Sequence, residues 1–292
     1  MRRVPQIQNR KCRSTRLADL RHVVSRISTL ILTIVLLTSI VCAQEDQQPS
    51  LSSIAWGDLC EIVGGVGGVY ASPLSWDGND VARFGLTTGF VAASFLLDDE
   101  MRSLTLQGSS PLADRIDQVG YFYGRVSTAA VFTAGIYGVG LVARDDWLRG
   151  TGVVLIQTLV SAGSFNLILK PLFGRSRPYL NRTNHDFRFW SWQEDRFSLP
   201  SGHAVVAFGV SSVLAARIKN PWATAGLYTL AGVTAWSRLY SDAHWFSDVV
   251  VGAALSSAVG IFLTNRYEKA DSALGGLRVL PMPDRLALSY SF

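Results

Sequence analysis

The side chains best suited to chemistry in this 292-residue chain lie in three short clusters between residues 170 and 248. Two of the four histidines of an otherwise apolar sequence fall within them. Cationic donors and histidines can together neutralise a phosphate group, attack its phosphorus and protonate the departing oxygen. We therefore predict that the clusters form one phosphate-handling site. They are Lys170 with Arg177-Pro178, then Pro200-Ser201-Gly202-His203, then Ser237-Arg238 with His244 and Asp248.

Three cationic side chains are predicted to hold phosphate oxygens. Lys170 and Arg177 are each followed by proline, which ends regular helix, so Lys170 should lie at a helix end and Arg177 on a turn. Arg238 adds a planar fork that can bind two oxygens at once. Taken singly, a Lys or Arg at the end of a membrane helix usually extends to the lipid headgroups.

The second cluster begins a helix in the predicted structure. Free backbone N–H groups at a helix start bind anions, and Gly202 would let a ligand approach closely. Ser201, taken alone, is most often only the cap of such a helix. His203 follows on the first turn, where it could protonate a leaving alkoxide.

The third cluster pairs a histidine with a carboxylate. His244 and Asp248 are four residues apart and so lie on one face of a helix. The carboxylate could accept one ring N–H, fix the tautomer and leave the other nitrogen to attack phosphorus. An isolated pair of this kind can equally be a structural hydrogen bond.

Taken together, the clusters resemble, nearly residue for residue, the three-part signature of the type-2 phosphatidate phosphatase and vanadium haloperoxidase superfamily. The resemblance covers roughly residues 80 to 265 and implies a six-helix core. It implies that His244 becomes phosphorylated, that Asp248 orients it and that His203 protonates the leaving group. It also implies that no metal and no cofactor take part. The implied phosphate-binding residues are Lys170, Arg177, Ser201, Gly202 and Arg238.

The apolar runs that must position these residues favour a membrane bundle. Hydrophobic residues make up 48% of the chain and charged residues only 17%. The runs approach the roughly 20 residues that cross a bilayer, and their small residues suit close helix packing. We therefore predict an all-α, six-helix membrane bundle. The runs are 81–97, 119–143, 151–169, 204–218, 222–236 and 245–263.

The two ends of the chain are predicted to differ from the bundle. Residues 1–43 combine a basic stretch, an apolar run and a small-residue cleavage motif, which indicates a signal peptide or an uncleaved anchor. These residues hold eight Lys or Arg and one acid, a net charge of +7. The whole chain has a net charge of +5, so residues 44–292 carry −2. This negative balance argues against nucleic-acid binding. Residues 44–79 form a lead-in, with one weak extra helix as an option. The tail, 266–292, ends in a strand-like alternation.

Parity of antiparallel helices puts the three clusters at one end of the bundle. The loops at the opposite end are basic, and basic loops tend to remain cytoplasmic. We therefore predict an integral protein of the bacterial cell envelope, in the inner membrane, with its site facing the periplasm. A cleaved signal then requires one further crossing, for which stretch 54–75 is the candidate.

Three functions are compatible with this site. The first is a phosphatase acting on a lipid phosphate or pyrophosphate, with membrane lipids as neighbours. The second is an exported non-specific acid phosphatase that hydrolyses small soluble phosphate esters. The third is a vanadate-dependent haloperoxidase, because the same cage binds vanadate in place of phosphate. The apolar runs favour the first.

Overall fold

A computed structural model describes residues 50–108, 110–273, 277–281 and 286–290. The predicted signal, 1–43, lies outside them. The described residues contain nine α-helices and one two-stranded sheet. The helices are α1 Leu51–Ala71, α2 Gly78–Ser94, α3 Asp98–Leu106, α4 Pro111–Tyr123, α5 Val126–Ala143, α6 Asp146–Phe173, α7 Gly202–Ile218, α8 Pro221–Tyr240 and α9 Phe246–Ala273.

The predicted count of six helices is too low for the described residues. Run 119–143 is broken at Gly124, which ends α4 and lies in a tight contact with α7 and α8. The weak stretch 54–75, left open between helix and lead-in, is mostly α1, and α3 was not counted. The predicted all-α class holds for the described residues up to the two C-terminal strands.

Local sequence signals set the helix boundaries. The side chains of Ser110, Asp145 and Asn220 each accept backbone N–H bonds at the start of α4, α6 and α8. Proline occupies the first helical position of α4 and α8, where its missing N–H costs nothing. At its other end, α6 stops at Gly174, whose left-handed backbone suits glycine.

Among the residues that the structure describes, four helical segments are long and apolar enough to cross a membrane, which supports an integral membrane protein. The first has its large apolar side chains turned outward, as at Leu86 and Phe90. Outward apolar surface of this extent suits lipid rather than water. The segments are Gly78–Leu106, Val126–Ala143, Asp146–Phe173 and Phe246–Ser272.

Helix α7 is shorter and lies at the centre of the bundle. It packs against α6, α8 and α9, and its Val206, Val210 and Val213 are buried against valines of α6 and Leu263 of α9. The C-terminal ends of α6 and α8 meet the N-terminal ends of α7 and α9, as parity predicted. This end holds all three clusters.

The C-terminal strands form a hairpin that belongs to a unit separate from 49–275. Strand β1 is Leu277–Pro281 and β2 is Leu286–Tyr290, paired antiparallel from Leu277 opposite Tyr290 to Pro281 opposite Leu286. The alternation in the tail predicted β2 but gave no sign of β1. Helix α9 continues to Ala273, beyond the predicted start of the tail at residue 266.

Candidate active site

Lys170 holds the long loop between α6 and α7 against the site. Its ammonium donates to the carbonyl oxygens of Phe197 at 2.7 Å and Pro200 at 2.8 Å. Helix α6 continues through Pro171 to Phe173, so Lys170 lies in the last turn, at the helix end as predicted, although Pro171 itself does not stop the helix. An ammonium has three donors, which leaves one hydrogen for a ligand.

Arg177 lies on a turn, as its following proline predicted. It precedes a short 3-10 helix, Pro178–Leu180, and its backbone N–H donates to the Asp195 carbonyl at 3.1 Å. The side-chain Nε is buried without a hydrogen-bond partner. The backbone of Arg177 is therefore fixed by the chain, while its Nε has no acceptor among the protein atoms.

The start of α7 presents unpaired groups at the same end of the bundle. The Ser201 N–H donates to the Asp248 carbonyl at 3.0 Å, but the Ser201 side chain makes no capping bond and its hydroxyl has no partner. His203 Nε2 is also buried without a partner. A simple capping role does not account for Ser201. Space remains beside Gly202, where the nearest atom to an added Cβ is Asn166 Oδ1 at 3.6 Å.

Arg238 is fixed by residues of α4 that sequence reasoning missed. It donates to the Ser237 hydroxyl at 2.5 Å and lies 3.4 Å from Asp117 Oδ1. Its guanidinium carbon lies 4.8 Å from the Tyr121 ring centre, and that ring is 5.0 Å from the His203 ring. Tyr121 thus touches two predicted site residues. A single tyrosine on a helix carries no motif that would have revealed this.

Four buried, unpartnered side-chain atoms belong to the predicted phosphate site: Arg177 Nε, Ser201 Oγ, His203 Nε2 and Arg238 Nε. The others among the described residues are hydroxyls of α5 and α6. Buried polar groups without partners are costly, and a phosphate has enough oxygens to satisfy several donors at once. With Lys170, the site carries three cations, which favour an anion and repel a divalent metal ion.

His244 is buried and fixed by a backbone carbonyl. Its Nδ1 lies 2.8 Å from the Ser198 oxygen and 3.7 Å from Asp248 Oδ2. The predicted direct hydrogen bond to Asp248 is therefore absent here, because 3.7 Å is too long. A proton on Nδ1 leaves Nε2 available for attack. Burial lowers the pKa of His244 to about 4, so the ring is neutral near pH 7.

Asp248 is the centre of a buried ion-pair network instead. Its Oδ1 accepts from Arg175 at 2.7 Å, and its Oδ2 accepts from the Ser198 hydroxyl at 2.5 Å and the Trp245 N–H at 2.9 Å. Arg175 is fully buried and also pairs with Asp98 at 2.5 Å. Asp248 therefore lies next to His244 but is held mainly by Arg175 and Ser198.

Comparison with known proteins assigns residues 151–271 to the PAP2 superfamily. This range contains all three clusters, so the match covers the residues that carry the predicted signature. The family resemblance predicted from the motifs is confirmed.

Two relatives of this chain have names that identify them as lipid A phosphatases. The lipid A 1-phosphatase of Porphyromonas gingivalis is 31% identical over 179 residues, covering 58% of this chain and 35% of that protein. The lipid A 4'-phosphatase of the same organism is 24% identical over 123 residues, covering 41% and 52%. The chain thus spans about a third and about half of the length of these relatives.

Two solved structures are similar in part. The crystal structure of Aquifex aeolicus LpxE has a TM-score of 0.46 at 22% identity, covering 58% of this chain and 95% of that one. The PAP2-type phosphatidylglycerolphosphate phosphatase of Bacillus subtilis has a TM-score of 0.49 at 20% identity, covering 65% and 96%.

Proposed function

We propose that this chain is a phosphatase that removes phosphate from a phosphorylated membrane lipid, as a monoester or pyrophosphate. The observation that carries the proposal is the set of unpaired buried atoms on Arg177, Ser201, His203 and Arg238. Together with Lys170 they could surround the oxygens of one phosphoryl group. His244 lies at the same end of the bundle with one nitrogen free.

The proposed reaction has two steps. In the first, His244 Nε2 attacks phosphorus and the bond to the leaving oxygen breaks. His203, which is protonated when the negative charge of the bound phosphoryl group offsets burial and the neighbouring cations, gives that oxygen its proton. In the second, water attacks phosphorus, the bond from phosphorus to His244 Nε2 breaks, neutral His203 takes a proton from the water, and phosphate leaves. Lys170, Arg177 and Arg238 hold the charge that develops on the phosphoryl oxygens in both steps.

Asp248 has an indirect part in this mechanism. Its ion pair with Arg175 and its bond from Ser198 fix the segment whose carbonyl orients His244. Its negative charge, 3.7 Å from Nδ1, would also stabilise the histidine as its ring gains positive character during attack.

A lipid of the lipid A class is the substrate that the relatives favour. Both named relatives act on lipid A, and the four apolar segments would keep this chain in the membrane where such lipids reside. We further propose that the site faces the periplasm from the inner membrane, because Arg144, Arg217 and Lys219 lie at the opposite end. An impermeant thiol reagent should label Asn181→Cys, but not Lys219→Cys, in cells whose outer membrane alone is permeabilised.

The activity is tested by phosphate release from purified protein in detergent, with EDTA present. Lipid A, phosphatidate, a polyprenyl pyrophosphate and p-nitrophenyl phosphate are compared for wild type, His244→Gln and His185→Gln. His185 is an exposed histidine of the same loop region and serves as the matched control. We expect EDTA-resistant release, highest with lipid A, that is lost only in His244→Gln.

Other outcomes would change the proposal. Release that EDTA abolishes, or that survives in His244→Gln, contradicts the histidine mechanism. Preference for p-nitrophenyl phosphate over every lipid favours the soluble-ester phosphatase. Bromide oxidation by peroxide that requires added vanadate, without phosphate release, favours the haloperoxidase.

A further inference from the structure

Three aromatic side chains project outward from the loop that follows α6: Phe189, Trp190 and Trp192, which are 63%, 71% and 50% exposed. We call them the aromatic patch. We propose that the aromatic patch is a membrane anchor that inserts into the boundary between headgroups and acyl chains beside the active site. Its partner is the bilayer that contains the protein.

The patch is held at the end of a candidate membrane span. The Trp190 N–H donates to the Leu172 carbonyl at 3.3 Å, and the Ser191 N–H donates to the Pro171 carbonyl at 3.0 Å. Both acceptors belong to the last turn of Asp146–Phe173, one of the four segments able to cross a membrane. The end of such a segment lies at the depth of the bilayer interface.

Trp190 occupies a strained backbone conformation. Its φ is +58°, in the left-handed region that bulky residues rarely adopt. The backbone bond to Leu172 holds this conformation, but the ring remains largely exposed, so packing of the ring within the protein does not compensate for the strain. A residue kept strained and outward-facing indicates a use outside the folded chain.

The chemistry of the patch fits the membrane interface. Tryptophan is enriched at that depth because its apolar ring body and its polar N–H can both be satisfied there, and Phe189 adds apolar surface to the same patch. Arg188, exposed next to the patch, can bind headgroup phosphates. Water alone would leave three adjacent apolar rings unfavourably solvated.

The patch is linked to the catalytic centre through the same loop. The Phe189 ring lies 6.4 Å from the Phe187 ring, and Phe187 lies 5.3 Å from the Arg175 guanidinium. Arg175 in turn pairs with Asp248. Insertion of the patch would therefore set the depth of the site relative to the headgroups, so that a lipid phosphate reaches it without leaving the bilayer.

Fluorescence quenching tests the location without requiring any enzymatic activity. Wild type and Trp190→Phe/Trp192→Phe are compared in vesicles of phosphatidylcholine, and the difference between them is the emission of the two tryptophans. We expect phospholipid brominated near the headgroup to quench this difference signal, while aqueous iodide quenches it far less than it quenches free N-acetyltryptophanamide. Strong iodide quenching with no effect of brominated lipid would overturn the proposal.

A second measurement, which rests on the proposed function, tests what the anchor does. In vesicles, Trp190→Ala/Trp192→Ala should lower kcat/KM for the lipid substrate about tenfold and leave p-nitrophenyl phosphate hydrolysis unchanged. Trp222→Ala removes a tryptophan at the start of α8 that is even more exposed, at 85%, and should change neither. Equal losses on both substrates would show that the patch serves only folding. If neither substrate is hydrolysed by wild type, the proposed function fails and the quenching result alone decides the anchor.

Discussion

The Arg175 guanidinium lies 2.7 Å from Oδ1 of Asp248, inside the protein and away from solvent. The same guanidinium pairs with Asp98, so one arginine neutralises two buried carboxylates. Asp248 was assigned by sequence to His244, which lies farther away at 3.7 Å. The geometry around His244, the proposed nucleophile, therefore depends on a residue, Arg175, that is not part of the predicted site.

Removal of Arg175 should destabilise the whole bundle. Arg175→Gln leaves Asp98 and Asp248 buried without a countercharge, and loss of one partner of a buried ion pair costs about 3–5 kcal/mol. The midpoint of unfolding in detergent measures this. Arg182→Gln, which breaks an exposed pair with Asp186, is the matched control and should cost about 0–1 kcal/mol. Adding Asp98→Asn to Arg175→Gln should restore part of the loss. If Arg175→Gln costs as little stability as Arg182→Gln, the buried ion-pair network is contradicted.

Acidification should reveal the buried state of His244. Its pKa in the folded protein is about 4, below the ordinary value of 6.5, mainly because of burial. As pH falls below 6.5 the unfolded chain therefore takes up the proton first, so this contribution to stability is complete above pH 6.5 and declines towards pH 4. Between pH 6.5 and pH 4, the unfolding midpoint of wild type should therefore fall more than the unfolding midpoint of His244→Gln. Parallel curves would show that His244 is not buried as a neutral ring.

Tyr121 should matter through its ring rather than its hydroxyl. Tyr121→Leu removes the aromatic face beside Arg238 and His203, a contact of about 0.5–2 kcal/mol. We expect kcat/KM to fall about 2- to 30-fold. Tyr121→Phe keeps the ring and should remain close to wild type. A larger loss in Tyr121→Phe than in Tyr121→Leu would assign the role to the hydroxyl instead.

Gly124 should tolerate no side chain, because it separates α4 from the start of α7. A Cβ there would lie 2.6 Å from Thr234 Cγ2 and 2.9 Å from His203 Cβ. Gly124→Ala should displace His203, lowering phosphate release and costing about 1–3 kcal/mol of stability. Gly138→Ala, with nothing within 4 Å, should be neutral or stabilising by up to about 1 kcal/mol. Equal behaviour of the two variants would refute the tight contact.

The residues of the three clusters could be named from the sequence because their types and spacing specify the chemistry. Alternating helix direction was also enough to place Lys170, His203, Arg238 and His244 at one end of the bundle. Neither inference requires knowledge of side-chain contacts, since both depend only on motif spacing and on the order of apolar runs.

The partners of those residues could not be predicted, because they come from distant parts of the chain. Asp98 meets Arg175 across 77 positions, and Tyr121 meets Arg238 from another helix. The break at Gly124 was hidden because the apolar run continues on both sides of it. At Pro171 the sequence predicted a helix end too early, since α6 continues past this proline to Phe173.

Asp98 lies within Gly78–Leu106, a segment that presents most of its apolar side chains outward. Its carboxylate accepts from the Ser247 N–H at 2.8 Å and from Arg175, which joins this outer segment to Asp248. A hydrophobic segment that does not match the bilayer tilts to accommodate the mismatch. Tilt of this segment would displace the charged groups that lie beside His244, the proposed nucleophile. We therefore expect turnover to vary with the acyl-chain length of the surrounding lipids, because bilayer thickness would influence the geometry of the proposed catalytic centre.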